Sequence, residues 1–278
     1  MNAERLPPGL YIVATPIGNL GDLSPRAADT LRRGDLVLAE DKRVTAKLLS
    51  HAGAKTKLAN YSDHTSEAER EAIVARLGEE AIALVSDAGT PLISDPGYKL
   101  VRAAREAGHA VHTVPGPSAV IAALTLAGLP TDRFLFAGFL PPKDKARRGA
   151  LADLATVRAT LVFYESGPRL ADTLTAMRDV LGEREAAVIR EISKLYEESV
   201  TGSVSELAAR YESHPPRGEI VIVVGLPPEQ AAASEEDLDA ALKEALKRLS
   251  PSRAAADVAT ALKVPRKRAY ARALELSR

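Results

Sequence analysis

Cysteine is absent from the 278 residues, which excludes disulfides, thiolate zinc sites and a cysteine nucleophile, and fits a reducing, cytoplasmic compartment. Long apolar runs are also missing: none approaches the ~18–20 residues that span a bilayer, and the N-terminal MNAERLPPG has no signal-peptide core. We therefore expect neither export nor membrane insertion. Nor is there an excess of charge of one sign. Lys and Arg total 37 against 37 Asp and Glu, so the chain as a whole has no general attraction for nucleic acid. Histidines are few. His51, His64, His109, His112 and His214 form no metal-binding spacing such as HExxH, and no metal is expected.

What is present belongs to a globular protein: 46% hydrophobic and 27% charged residues, with 18 glycines and 18 prolines as punctuation. Short runs rich in Val, Ile and Leu predict strands at 10–14, 35–39, 81–86, 109–114, 160–165, 186–192 and 219–224. Several are apolar on both faces, as parallel strands covered by helices require. Helical patterns lie between them. SPRAADTLRRG has Ser24 as N-cap, Pro25 at the first helical position and Gly34 at its end. The class is α/β.

The rhythm breaks at 127–145, which is rich in Pro and Gly and then basic, so a domain junction is expected there. The boundaries follow as 1–128 and 129–226 for two α/β domains, with a small helical appendage at 237–278. Its helices are predicted at 237–249, 251–262 and 266–276, with KVP (263–265) as a turn in helix-turn-helix style. From Lys243 onward ten Lys and Arg face three acids, a net charge of +7, and KDKARR (143–148) is a second basic cluster. Either could dock an anionic partner; either could be a solvated helix face.

The loop SDAGTPLISDPG (86–97) leaves one predicted strand and enters a helix, the place where open α/β sheets bind ligands. Two carboxylates and no Lys exclude a P-loop phosphate cradle and favour a ligand bearing hydroxyls, an amine or a positive charge. The plainer reading is a turn in which Asp87 and Asp95 cap backbone amides. ATPIGNLGDLSPR (14–26) and VPGPSAVIAALTLAG (114–128) leave strands in the same manner, although Ser118 could simply cap the helix that follows it. Three such loops on one sheet edge imply one pocket.

Eight stretches (LYIVATPIGNLGDLSPRA, AEDKRVTAKLL, ALVSDAGTPLISDPG, VPGPSAVIAAL, FAGFLP, FYESGPRL, VIREISKLYEE and GEIVIVV) together resemble the bacterial 16S rRNA cytidine 2′-O-ribose methyltransferases. These belong to the tetrapyrrole-methylase-like superfamily (class III) of enzymes dependent on S-adenosylmethionine (SAM). The motifs run from about 10 to 225. AEDKR and FYESGPR depart from the family's AEDTR and FYESPHR. The resemblance implies two α/β domains with SAM folded into the cleft between them, held largely by backbone, in a homodimer; in the 86–97 loop the expected contacts are backbone ones around Asp87 to Gly89 and Ile93, with Asp95 as the loop's brace. It assigns the cofactor to Pro16, Asp87, Ala88, Gly89, Ile93, Ser94, Ser118, Ala119, Phe163 and Tyr164.

The expected partner is 16S rRNA in the small ribosomal subunit, gripped by the basic tail and the 143–148 cluster. Removing the ribose proton would fall to a carboxylate or a neutral Lys, and flanking phosphates to Arg. Glu165, Lys194, Arg26, Asp22 and Glu40 are the candidates, because they stand in matched motifs at loop ends. Two other functions stay open. One is a small-molecule methylase acting on a tetrapyrrole; the other is a nucleic-acid-binding regulator that uses the C-terminal helices.

Overall fold

The computed structural model describes residues 5–228, 234–262 and 264–277. The chain divides into two compact units that meet at Pro227 and Pro228.

The first unit holds two sheets. It opens with β1 (Gly9–Val13), α1 (Pro25–Arg33), β2 (Leu36–Ala39), α2 (Lys42–Ala52), β3 (Lys57–Asn60), α3 (Glu67–Arg76), β4 (Ala81–Leu84), α4 (Tyr98–Glu106), β5 (Val111–Val114) and α5 (Ala119–Ala127). The strands form one parallel sheet in the order β3-β2-β4-β1-β5. The expected start of α1 is present: Ser24 Oγ accepts from the Ala27 amide at 3.1 Å, and Pro25 opens the helix. Two apolar clusters cover the sheet's two faces, one around Val13, Leu31 and Val37, the other around Leu10, Leu38 and Leu100. Burial on both faces is why these strands read as unbroken apolar runs.

The second sheet follows: β6 (Phe134–Phe139), α6 (Asp144–Leu154), β7 (Thr160–Ser166), α7 (Leu170–Leu181), β8 (Glu185–Arg190), β9 (Glu198–Ser203), α8 (Val204–Ser213) and β10 (Glu219–Val224), in the order β6-β7-β10-β8-β9. Here the expectation of mostly parallel strands is corrected. Only β6 and β7 are parallel; β10 runs antiparallel to both β7 and β8, and β8 pairs with β9 as a hairpin. The apolar runs reported burial, not direction. Leu161 and Phe163 of β7 pack under α7 and α8, while Val162 and Tyr164 pack on the other face against α5.

Three strands were not expected: β3, β6 and β9. All are edge strands, and β3 and β9 are too exposed to carry an apolar run. β6 lies inside the stretch read as a junction, interrupted by Gly138 and a register shift.

The second unit contains α9 (Glu235–Leu246), α10 (Pro251–Leu262) and α11 (Arg266–Leu276) around a small core of Leu238, Leu242, Val258, Ala269 and Ala273. α9 begins two residues before its expected start because Ser234 and Asp237 form a reciprocal capping box. Lys263, in the expected KVP turn, and Arg278 lie outside the described residues, as does part of the 227–237 stretch. Among the described residues no helix is long and apolar enough to cross a membrane.

Candidate active site

The three loops after β1, β4 and β5 leave three neighbouring strands and are stitched together. Thr15 and Gly89 exchange backbone hydrogen bonds of 2.8 and 3.1 Å. Thr15 Oγ1 donates to the Ser86 carbonyl at 3.2 Å, and Thr90 Oγ1 to that of Pro117 at 3.1 Å. Gly89 has φ +80°, and a Cβ there would lie 3.3 Å from Ile17 Cγ2, so a side chain would strain both the turn and its close packing.

Against these loops stands the second sheet, and between them lies a cleft with a cavity of about 430 Å³. Ile17, residues 87–90, residues 93–95, Ser118 and Ala119 line one side; Phe139, residues 164–166, Ile192 and residues 218–221 line the other. Four non-glycine residues here have left-handed backbone: Leu92 (φ 75°), Ser94 (64°), Glu191 (51°) and Ser193 (64°). Such strain persists only where surroundings enforce it, and it concentrates at functional sites.

The two aspartates of the 86–97 loop have different roles. Asp87, and not Asp95 as expected, is the brace: its Oδ1 accepts from the Asp41 amide at 3.1 Å, tying the loop to the start of α2. Asp95 is half-buried, lines the cleft and has no hydrogen-bond partner among the described residues. Burial, with the charges of Glu40 and Asp87 added, pushes its carboxyl up to about 6. Tyr164 is raised to about 12 by burial and then by Asp95 and Glu219. It packs its ring against Phe136 and Phe139, at centroid distances of 4.8 and 5.4 Å. Ser118 precedes α5 yet caps nothing with its side chain, so the simple capping reading fails.

Of the ten cofactor positions, Asp87, Ala88, Gly89, Ile93, Ser94, Ser118, Ala119 and Tyr164 line the cleft. Phe163 does not. Its side chain is fully buried on the opposite face of β7. Pro16 is buried behind the lining, where its neighbour Ile17 takes the place expected of it.

Of the five catalytic candidates, Glu165 alone is among the residues that line the cleft. Glu165 shares the parity of Phe163, and its side chain is only 1% exposed. Its Oε2 accepts from Thr173 Oγ1 at 2.7 Å, and its Oε1 from the Ser166 amide at 2.8 Å with Arg169 Nε at 3.3 Å. That carboxylate is a structural hub, its oxygens turned to Thr173, Ser166 and Arg169, although Glu165 borders the cleft. Lys194 pairs with Glu219 at 2.8 Å and Glu191 at 3.0 Å. Desolvation alone would lower its pKa, but these two partners outweigh it and hold the amine above its ordinary value. A charged Lys194 is no base. Its stem packs against Gly18, and Ser193 Oγ donates to Asp22 Oδ2, so the 191–197 loop is latched across the cleft. Arg26 donates to the Thr113 carbonyl at 3.1 Å, and Glu40 is exposed beside the Asp95 loop.

Sequence reasoning missed Ile17, Thr90, Asp95, Phe139, Ser166, Ile192, Gly218, Glu219, Ile220 and Val221 as lining. For Asp95 the signal existed in a second carboxylate of a Gly/Pro loop; the residues from β6, from the loop after β8 and from β10 are brought in by sheet pairing. The 143–148 cluster also shrinks. Arg147 is buried with Thr173, and Arg148 pairs with Asp144 and Asp179, leaving Lys143 and Lys145. Gly167, the departure in FYESGPR, fits tightly: a Cβ there would lie 2.0 Å from the Pro216 carbonyl oxygen.

Comparison with known proteins accords with this architecture. Residues 9–208 match the family described as tetrapyrrole (corrin/porphyrin) methylases, and residues 226–277 match an RsmI C-terminal HTH domain. The chain is 58% identical to the ribosomal RNA small subunit methyltransferase I of Erythrobacter litoralis, covering 99% of this chain and 98% of the relative. It is 47% identical to that of Mesorhizobium japonicum, covering 99% and 94%. The solved structure of a cobalt precorrin-4 methyltransferase shares the fold, with a TM-score of 0.57 at 17% identity over 78% of this chain and 94% of that one.

Methyltransferases of this family use SAM, a ligand carrying a sulfonium and an ammonium. The residues present fit such a group. The cleft offers an unpartnered carboxylate at Asp95, apolar walls from Ile17, Ile93 and Val221, a glycine at 89 that allows close approach, and an uncommitted hydroxyl at Ser118. The chain belongs to the tetrapyrrole methylase family and, within it, to the SAM-dependent ribosomal RNA small subunit methyltransferase I group.

Proposed function

We propose that the protein transfers a methyl group from SAM to the ribose 2′-hydroxyl of a cytidine in 16S rRNA of the small ribosomal subunit, acting as a homodimer in the cytoplasm. One observation carries the reading most: a half-buried carboxylate without a partner, at the wall of a cavity of about 430 Å³, which suits a cationic methyl donor. The acceptor is inferred from the eight motifs and from the names of relatives that match nearly the whole chain.

When bound, SAM supplies an electrophilic methyl on a sulfonium. The chain's part is to exclude water with Ile17, Ile93, Phe139 and Tyr164, to place negative charge at Asp95, and to align the incoming oxygen. Charge on that oxygen develops late, so alignment outweighs a strong base. This fits a site where Glu165 and Lys194 are committed elsewhere.

The tetrapyrrole alternative shares the fold, but the HTH-type C-terminal unit and the relatives' names weigh against it. Incubating the protein with isolated small subunits and tritiated-methyl SAM tests the reading. Label recovered in the RNA is expected; SAM binding without transfer to RNA would favour the small-molecule methylase, and no SAM binding would favour the regulator.

A further inference from the structure

The net charge of +7 from Lys243 onward is unevenly committed. Lys247 and Arg248 pair with Glu244 at 2.5 and 3.2 Å. Arg272 is clamped by Asp239 and Glu275, both at 2.6 Å, and these acids hold its guanidinium above its ordinary pKa. Lys243 acts on Asp239 through its charge. Arg266, Lys267 and Arg268 differ. All three are exposed, and none has a side-chain hydrogen bond or ion pair among the described residues; Arg253 on α10 is also exposed and unpaired, but it stands alone rather than in a cluster.

Their position is electrostatically adverse. They fill the first turn of α11, with no acid in that turn, at the end where the helix dipole is positive and cations are disfavoured. The first turn of α9 in the same unit shows the favourable arrangement, Glu235, Glu236 and Asp237. Helix spacing then puts Tyr270, 43% exposed, one turn along from Arg266 and Lys267. The buried side of α11 is Ala269 and Ala273, so this basic and aromatic face is turned outward.

We infer that the face formed by Arg266, Lys267 and Tyr270, flanked by Arg268, is the surface with which the C-terminal unit grips its RNA, the cations on phosphates and the tyrosine against a base. This rests on the proposed RNA substrate and narrows the whole basic tail to one helix face. A polyanion is the partner that offsets three clustered cations, and an exposed ring beside them suits a nucleotide.

The test compares full-length proteins binding isolated small subunits, without SAM, across a salt series. Arg266→Gln with Lys267→Gln should weaken binding about tenfold near 0.1 M salt and reduce the salt slope by about 2. Its melting temperature should be unchanged or higher, because cations leave a positive helix end. Lys247→Gln with Arg248→Gln removes the same charge from paired positions and should leave the slope nearly unaltered. Tyr270→Ala should cost affinity without changing the slope. Equal effects of the two double variants, or no effect of the first, would overturn the assignment. Methyl transfer by the unsubstituted protein is read separately: its failure would count against the proposed function, while the salt series still decides the surface.

Discussion

Asp95 shows how one residue's burial becomes a property of the whole site. Its carboxyl, pushed up to about 6 by burial and by Glu40 and Asp87, holds a proton between roughly pH 4 and 6, where the unfolded chain has released its own. The native state binds more protons in that window, so stability falls as pH rises through it, and at neutral pH the ionised group is a cost. Asp95→Asn should therefore raise the melting temperature of the free protein at pH 7.5 by about 2–4 °C, from ~1 kcal/mol after screening. The gain should shrink towards pH 4.5. The same variant should bind SAM at least tenfold more weakly by calorimetry; unaltered affinity would remove Asp95 from the cofactor site. Glu165 gives the opposite pattern. Glu165→Gln should destabilise by about 1–3 kcal/mol through its buried bonds, yet leave the shape of the pH–rate profile intact. Loss of an ionising limb would restore it as a base. Its place in a matched motif made it a catalytic candidate, although strand parity puts its side chain on the face of Leu161 and Phe163.

At the scale of elements, the 191–197 loop is the feature that sequence left least visible. Its left-handed residues at 191 and 193 are not glycines, and its partners come from β1's loop and β10. The Ser193–Asp22 bond and the Lys194 ion pairs hold it over the cleft. Ser193→Ala and Asp22→Ala should each speed amide exchange in 191–197 by about five- to tenfold. Because they break one bond, the double variant should exchange no faster than either single. Additive effects would show that each residue acts through something else. Central strands such as β1, β4 and β10 could be read directly, since burial on both faces writes an apolar run. The edge strands β3, β6 and β9 write no such run, and strand direction in the second sheet depends on a hairpin and a returning β10 that leave no local pattern.

Over the whole molecule, the two sheets act as opposing walls. The first supplies three loops from neighbouring strands; the second supplies the ring of Tyr164, the Glu219 carboxylate and the latched loop. The loops were legible because Gly, Pro and Asp follow apolar runs, and the wall facing them was not, because it is assembled from residues far apart in the chain. We propose that the cleft between these walls delivers a methyl group to a ribose oxygen. The most direct measurement is alkaline hydrolysis of small-subunit RNA labelled by the protein with tritiated-methyl SAM, followed by identification of the labelled products. A 2′-O-methyl group blocks cleavage at the adjoining phosphodiester, so the account predicts label in an alkali-resistant dinucleotide that begins with cytidine. Label in a mononucleotide, and hence on a base, would contradict it.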